Sequence, residues 1–265
     1  MVIIKFANPP LVEVVFGIEF DAPEFSSVHF GLYWETIRDR FPNQIDRSPF
    51  QEDEDTVSSS MPPLRRVWFL SNDKKRLIQL QDNCFVYNWG RVNEETYPHF
   101  ETIFPEFLQE WNHLKAWWSN WGQSSLKPVE YELIYLNLIN KDSGWFSTED
   151  YSKVFTFIKE DFKDYLATPR FLDFQLAFFL PNEEGELKIT VEQILNDNDS
   201  SDSSDDSDDS DYVVFRLRAT SFDADKEPAE WFKSAHDFVV RAFLDLTKKE
   251  AQEKWKAYEQ ESEIL

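Results

Sequence analysis

The stretch that decides the fold is Pro10-Leu11-Val12-Glu13-Val14-Val15-Phe16-Gly17-Ile18-Glu19-Phe20. Apolar side chains alternate there with Glu13, Gly17 and Glu19, and this alternation predicts a β-strand with one face toward a core. The pattern then changes to the apolar stripe of a helix, which Pro42 ends: Phe30, Trp34, Ile37 and Phe41. A strand followed by a helix is therefore the first predicted unit.

Three further strands and a long helix are predicted after a polar, acidic loop over residues 52–63. The strands cover 64–70, 76–81 and 84–89, and Asp82-Asn83 forms a tight hairpin turn between the last two. The helix carries one apolar stripe at Phe100, Phe104, Phe107, Trp111, Leu114 and Trp118. This half of the chain has the order β-α-β-β-β-α.

The second half repeats that order. Pro128-Val129-Glu130 echoes Leu11-Val12-Glu13 at the start of a strand that runs to residue 139. After Ser147 as N-cap, the spacing of the first helix recurs at Tyr151, Phe155, Ile158 and Phe162. Strands over 174–180, 186–195 and 212–220 follow. Two helices come last, with Phe232, His236, Val239 and Phe243 on the first and Ala251, Trp255 and Tyr258 on the second, and residues 259–265 are expected to fray.

Two halves of this order predict an α+β fold, an antiparallel sheet with helices packed on one face. The halves are residues 1–124 and 125–265, joined as one compact unit. The order resembles the tandem saddle of the TATA-binding proteins and the helix-grip ligand-binding proteins. That resemblance implies a fold and no function, because one fold serves many functions.

Residues 196–211 are a run of Asp, Ser and Asn inside the last strand pair of the second half. Such residues cannot bury apolar surface to offset the entropy of ordering, so a solvated, disordered hairpin insertion is predicted. Asp197, Asp199 and Ser201 match the first three ligand positions of an EF-hand. Asp202 stands where that loop needs Gly and Asp208 where it needs Glu, so at most a weak calcium association follows, and no metal site is predicted.

Charge and composition exclude several classes of protein. The net charge is −23, and it stays at −15 without the aspartates of the acidic run. A surface this negative argues against nucleic acid and anionic membranes and permits basic protein partners. Six glycines leave little for phosphate-binding loops, and the single Cys84 excludes an internal disulfide and a cysteine zinc site. No signal peptide and no membrane span are recognised, so a cytoplasmic location is predicted.

No catalytic residue and no cofactor is predicted. The four histidines form no metal-binding pair, and no serine lies in a nucleophile elbow. His236 is interpreted as a hydrogen-bonded residue of the core or of a helix interface, and Cys84 as a packed strand residue. With 50 acidic residues, any carboxylate spacing occurs by chance, so no acid pair is named.

Aromatic residues supply the candidate binding surface. Phe85, Tyr87 and Trp89 fall on one face of a strand, and such rings with an arginine are frequent anchors of protein and ligand surfaces. Core packing explains the same rings, and both alternatives stay open here. The predicted binding residues are Tyr87, Trp89, Arg91, Tyr135 and Asn137.

Short motifs recur in order along nearly the whole chain: Asn8-Pro9-Pro10-Leu11-Val12-Glu13-Val14-Val15-Phe16, Gln79-Leu80-Gln81, Asn88-Trp89-Gly90-Arg91, Tyr97-Pro98-His99-Phe100 and Tyr135-Leu136-Asn137, with His236 and Trp255 in the closing helices. Together they resemble a sporadically distributed family of bacterial and archaeal proteins of unknown function. The resemblance implies a prokaryotic source and no known chemistry. Ile134 and Leu138 stand where that family tends to carry arginines, so a cationic site there is not implied.

Three functions are compatible with these observations. The leading hypothesis is a non-catalytic binding or adaptor protein that acts through a protein partner. The first alternative is a small-ligand or enzymatic pocket between the two halves. The second is an acidic mimic of nucleic acid that occupies a basic protein.

Overall fold

The structure is a computed structural model that describes residues 2–22, 24–50, 64–93, 95–121, 124–158, 169–195 and 211–261. The strands are β1 (Val2–Phe6), β2 (Leu11–Asp21), β3 (Asn43–Arg47), β4 (Arg66–Leu70), β5 (Arg76–Leu80), β6 (Cys84–Gly90), β7 (Lys127–Ile139), β8 (Phe174–Phe179), β9 (Gly185–Ile194), β10 (Tyr212–Ser221) and β11 (Ala257–Glu261). The helices are α1 (Ser27–Ile37), α2 (Phe100–Asn120), α3 (Tyr151–Val154), α4 (Pro228–Leu246) and α5 (Lys249–Lys254).

The fold is α+β, a large antiparallel sheet with helices packed against it, and this part of the prediction is confirmed. Between β1 at the start and α5 and β11 at the end, the elements follow the order β2-α1-β3-β4-β5-β6-α2 and then β7-α3-β8-β9-β10-α4. Four strands therefore follow α1 where three were predicted, because β3 was not predicted. The tandem repeat, its division at residues 124 and 125 and the likeness to a TATA-binding saddle stay predictions.

Two compact units make up the chain. Unit A comprises Glu13–Leu133 and Thr220–Ser234, and unit B comprises Met1–Val12, Ile134–Ala219 and Ala235–Leu265. Strands β2, β7 and β10 contribute residues to both units.

In unit A, the hydrogen-bonded strand order is β3-β4-β5-β6-β2-β7. Gln81 and Cys84 exchange backbone hydrogen bonds across the predicted Asp82-Asn83 turn. The predicted apolar stripe of α2 is buried along its length and packs on the sheet, where the ring centroids of Phe107 and Phe16 lie 4.8 Å apart. Aromatic packing on this one helix therefore forms the centre of the unit.

Unit B contains the strand order β7-β10-β9-β8 and a small separate sheet of β1 with β11. Its core is also aromatic: Phe243 stacks on Phe215 with ring centroids 5.7 Å apart, and it packs against Trp255 at 5.4 Å. Helix α4 begins at Pro228 and carries the predicted stripe of Phe232, His236, Val239 and Phe243.

Several predicted boundaries are wrong. The helix predicted to include Phe155 ends at Val154, because Phe155 turns to extended geometry and forms a β-bridge with Thr247. The last helix ends before Trp255, and Tyr258 lies in β11, where fraying was expected from residue 259. Pairing with β1 holds this tail, and such a distant partner leaves no local signal in the sequence.

Three predictions fall on undescribed parts of the chain, and the first is the polar, acidic loop over residues 52–63. The acidic insertion at 196–211 lies outside the described residues except for Asp211, and so do its EF-hand-like positions. Phe162, the last residue of the predicted helix stripe in the second half, is outside them as well.

Candidate functional site

The sheet of unit A has two faces that differ in what packs on them. Residues paired directly across strands point to the same face, so the register assigns each side chain. Phe16 pairs with Tyr87 and Ile18 pairs with Phe85 on one face. In the described part of unit A, every ring contact between a helix and the sheet lies on this face, which we call the helix face. The other is the reverse face.

Tyr87 and Trp89, two of the predicted binding residues, lie on the helix face and are only 2% and 3% exposed. Tyr87 packs against Phe107 of α2 with ring centroids 6.3 Å apart, and Trp89 packs against Tyr97 at 5.2 Å. Their rings are thus part of the core, and a binding role for them stays a prediction.

A cleft of about 520 Å³ opens beside Tyr87 and Trp89. Arg40 donates through Nε and Nη2 to the two carboxylate oxygens of Glu110, each at 2.9 Å. Arg76 likewise donates two bonds to Glu106, which also accepts the hydroxyl of Tyr87 at 2.9 Å. Glu106 and Glu110 are one turn apart on α2, so the two pairs tie α2 to β5 and to the chain after α1. The charged groups of the cleft already have partners, and the arrangement is structural.

The electrostatics of this cleft do not favour proton transfer. Burial, followed by the charge of Glu106, raises the pKa of the Tyr87 hydroxyl, which therefore remains a donor at neutral pH. The hydrogen bond to Glu110 raises the pKa of Arg40, which remains a cation. Neither group offers the titration near neutrality that a general acid or base needs.

The other predicted binding residues lie elsewhere. Arg91 follows β6 in unit A, where burial lowers its pKa. Tyr135 and Asn137 belong to unit B. The Tyr135 hydroxyl lies 2.7 Å from Nδ1 of His236, and Nδ2 of Asn137 donates to the backbone oxygen of Phe215 at 3.1 Å. His236 is thus hydrogen-bonded, as interpreted from the sequence, and the five predicted residues are divided between two units.

On the reverse face of unit A, a hydrogen-bonded relay crosses three strands. Asn88 donates through Nδ2 to Glu13 at 2.7 Å, and Gln79 donates through Nε2 to Oδ1 of Asn88 at 2.9 Å. A carboxylate only accepts, so Glu13 fixes the orientation of both amides. Oε1 of Gln79 is then the acceptor at the end of the relay. This atom is buried, since Gln79 is only 8% exposed.

The relay ends beside a cluster that we call the arginine–tryptophan patch: Ile45, Arg47, Phe50, Arg66 and Trp68. Trp68 pairs directly with Gln79 on one side and with Ile45 on the other, and Arg47 pairs with Arg66. The Arg47 guanidinium lies 4.3 Å from the centroid of the Trp68 ring, and that of Arg66 lies 3.9 Å from the ring of Phe50. Ile45 and Phe50 are 39% and 42% exposed, so the patch reaches the surface.

Three buried polar atoms of this region have no hydrogen-bond partner among the described residues: Nε of Arg66, Nε1 of Trp68 and Oε1 of Gln79. Each buried group left this way costs about 1–3 kcal/mol. Trp111 and Trp118 also bury indole N–H groups that have no partner in the described part of the chain, but these residues are 1% and 0% exposed within the hydrophobic core. The atoms of the patch instead adjoin exposed side chains, where an incoming molecule can supply partners.

A negative region lies on the same face at a distance from the patch. Cys84 pairs with Glu19 on β2, and the backbone of Gly17 approaches Glu132 so closely that an added Cβ would lie 3.3 Å from the Glu132 Cβ. Four strand spacings separate β3 from β2, or about 19 Å. The reverse face therefore changes from positive at Arg47 to negative at Glu19.

Cys84 itself is buried, as predicted. Burial, and then the charge of Glu19, raises the pKa of its thiol, so the nucleophilic thiolate is not formed at neutral pH.

The sequence contains a partial signal for the patch. Arg66 and Trp68 are two residues apart in a predicted strand, which places them on one face. Arg47 and Ile45 gave no such signal, because β3 lies in a stretch where no strand was predicted. The binding surface was predicted instead on the strand of Phe85, Tyr87 and Trp89, although these rings lie on the helix face of the sheet.

Comparisons with known proteins identify no relative. No protein-family model matches the chain, and neither a curated protein nor a solved structure is significantly similar to it. The resemblance to the sporadic prokaryotic family therefore stays a prediction. Within the described ranges, no helix is long and apolar enough to cross a membrane, and no three His, Cys, Asp or Glu side chains are grouped to hold a metal ion.

Proposed function

We propose that the chain is a non-catalytic binding protein that acts through a protein partner, and that the arginine–tryptophan patch of unit A is its contact surface. The observation that carries this proposal is the pair of buried donors, Arg66 Nε and Trp68 Nε1, which lack acceptors among the described residues beside exposed Ile45 and Phe50. Arginine, tryptophan and apolar side chains together have the composition of interface hot spots.

The charge of the reverse face favours a protein over a nucleic acid. A nucleic acid presents phosphates along its whole length, and Glu13 and Glu19 on this face would repel them. A protein can place an anionic group at Arg47 and Arg66 and a cationic group about 19 Å away. The net charge of −23 supports the same choice, since it opposes non-specific association with polyanions.

The chemistry of the described side chains supports a non-catalytic role. His29 Nδ1 lies 2.9 Å from the backbone N–H of Ser26, and His113 Nε2 lies 2.9 Å from the Thr36 hydroxyl. Both rings therefore serve helix packing. The raised pKa of Cys84 removes the cysteine as a nucleophile at neutral pH.

Site-specific photo-cross-linking tests this proposal. A photoreactive amino acid replaces Ile45 in the patch or, as a control, Val28 on α1, which is 61% exposed in the same unit. Illumination in cells of the source organism should give one discrete adduct at position 45 and none at 28. The adduct should disappear with Arg66→Ala and persist with Arg65→Ala, because Arg65 is an exposed neighbour paired with Asp46 at 3.2 Å.

The cross-linked protein is then purified and its affinity for the unmodified chain measured. Binding to the wild type that weakens at least about tenfold with Arg66→Ala, while both variants still unfold in one cooperative transition above the assay temperature, supports the proposal. Equal adduct yields at positions 45 and 28, or an adduct at position 45 that Arg66→Ala does not change, would refute the assignment of the patch as the contact surface.

The two alternatives have separate tests. A small-ligand pocket between the halves predicts that a metabolite raises the melting temperature of the full chain. The acidic-mimic alternative predicts that deleting residues 196–211 abolishes capture of a basic protein, whereas the proposed function predicts that the deletion leaves the position-45 adduct unchanged.

A further inference from the structure

Among the described residues, no strand pairs with the outer edge of β3 in unit A. β3 stands at the end of the strand order, and its five residues are all exposed. An edge strand presents backbone N–H and C=O groups that an extended peptide can pair with. Its charged residues Asp46 and Arg47 discourage pairing with arbitrary strands, so pairing here requires a partner whose side chains match.

Two arginines next to this edge have no anionic partner among the described residues. Arg47 and Arg66 are directly paired across β3 and β4, and like charges in that position destabilise a sheet. Neither arginine has a carboxylate within salt-bridge distance among the described residues, although Asp and Glu outnumber Lys and Arg by 50 to 27 in the chain. Burial, with the charge of Arg47, lowers the pKa of Arg66, so an anion here would compensate for the lost hydration of Arg66 and offset its repulsion from Arg47.

We propose that the patch binds a carboxylate side chain carried by an extended segment of the partner, which pairs with the free edge of β3. The carboxylate accepts hydrogen bonds from the guanidinium groups of Arg47 and Arg66 and from the indole N–H of Trp68. Phe50 covers Arg66, and displacement of this exposed ring opens Nε of Arg66 to the ligand. This inference rests on the proposed function and gives its partner a chemistry.

The register also specifies what stands next to the carboxylate. Arg47 and Arg66 form one row across the sheet, and Ile45 and Trp68 form the next row, two residues along β3. An added strand continues these rows, because its side chains alternate with the same period. The segment should therefore carry Asp or Glu two residues from an apolar side chain, an acidic-x-apolar spacing that free phosphate cannot imitate.

Fluorescence anisotropy with labelled peptides tests the inference on the full chain. One peptide alternates threonine with valine and carries a single glutamate two residues from a valine, and a second has glutamine in place of the glutamate. The glutamate peptide should bind about tenfold more tightly, since hydrogen bonds to a charged group are about twice as strong as neutral ones. A third peptide, N-methylated on alternate residues in either register, should not bind because it cannot pair with the edge.

Variants of the chain assign the interaction to its atoms. Arg66→Ala should remove the preference for glutamate, and Arg65→Ala should keep it. Arg66→Lys retains the charge but lacks Nε, and Trp68→Phe retains a ring but lacks the indole donor, so each should lose about threefold to tenfold in affinity. Inorganic phosphate at millimolar concentration should not displace the glutamate peptide.

Several results would overturn the inference: equal binding of the glutamate and glutamine peptides, full competition by phosphate, or binding of the N-methylated peptide. So would a glutamate preference that appears only after Glu52, Asp53, Glu54 and Asp55 are neutralised, because the patch would then belong to the chain's own acidic run. If the peptides do not bind but the adduct at position 45 still forms and still depends on Arg66, the proposed carboxylate ligand is rejected and the proposed function is kept. Loss of that adduct's dependence on Arg66 rejects the proposed function.

Discussion

Replacement of Arg40 by methionine should destabilise unit A more than replacement of its partner Glu110 by leucine. Both substitutions remove the same pair of 2.9 Å hydrogen bonds. The two side chains differ in exposure, however, since that of Glu110 is only 6% exposed and that of Arg40 is 42% exposed. Arg40→Met leaves a buried carboxylate without a counter-charge. Glu110→Leu leaves an arginine that water can reach and puts an apolar side chain on the buried face of α2.

The magnitudes follow from this asymmetry. Loss of one partner costs about 3–5 kcal/mol for a fully buried pair, and the exposure of Arg40 reduces this to about 2 kcal/mol for Arg40→Met. Glu110→Leu should cost about 1 kcal/mol or less, because apolar replacement of a buried ionic group is often near neutral. The double variant should resemble Glu110→Leu alone, which gives a coupling energy of at least about 1 kcal/mol.

Urea unfolding of the four proteins, followed by tryptophan fluorescence and circular dichroism, gives the free energies for this cycle. Arg38→Met is the matched control, since Arg38 forms an exposed i,i+3 pair with Glu35 and should change stability by less than about 0.5 kcal/mol. Equal costs for Arg40→Met and Glu110→Leu, or additive costs in the double variant, would show that the pair is not the buried tie described above.

Two further predictions concern other buried polar groups of unit A. Asn88→Leu should destabilise the chain by about 2–4 kcal/mol in urea unfolding, because it leaves both Gln79 and Glu13 without the relay bonds they now make; a cost under about 1 kcal/mol would contradict the relay. Burial raises the pKa of Tyr131 from 10.0 to about 12, so its contribution to stability is fully present below pH 10 and is lost as the pH rises toward 12. Tyr131→Phe, which removes the 2.9 Å bond to the Lys226 oxygen, should flatten the fall in stability over that pH range, and an unchanged slope would argue against this assignment.

Local patterns predicted every strand of the large sheet except β3, because apolar alternation along a strand can be recognised without knowing its partner. The alternation that begins at Leu11 gave β2, and the helical stripe from Phe100 gave α2 with a buried face. β1 and β11 were missed because their stability comes from pairing with each other across almost the whole chain. Helix α3 was predicted too long because Phe155 satisfies the helical spacing but is held in a bridge by Thr247.

The candidate site was less accessible to sequence reasoning than the fold. The sequence pattern of Tyr87 and Trp89 is the same whether their rings face solvent or the helices. Only the strand register and the burial of the rings show which face they occupy. The patch joins residues 45, 47 and 50 to residues 66 and 68 through the β3–β4 pairing. That Trp68 Nε1 has no acceptor among the described residues is a property of the folded arrangement, since any tryptophan carries the same donor in the sequence.

The negative charge of the chain and its arginine patch are compatible, and together they predict an unusual salt dependence. A chain of net charge −23 repels an acidic segment at long range, whereas the contact with Arg47 and Arg66 acts over a few ångströms in a partly buried site. Salt screens exposed charges over a Debye length of about 10 Å at 0.1 M and screens partly buried pairs much less. Affinity for the glutamate peptide should therefore rise between low and moderate ionic strength and fall only at higher salt. A steady decrease from the lowest salt would mean that long-range attraction brings the peptide to the chain, which this acidic surface cannot provide.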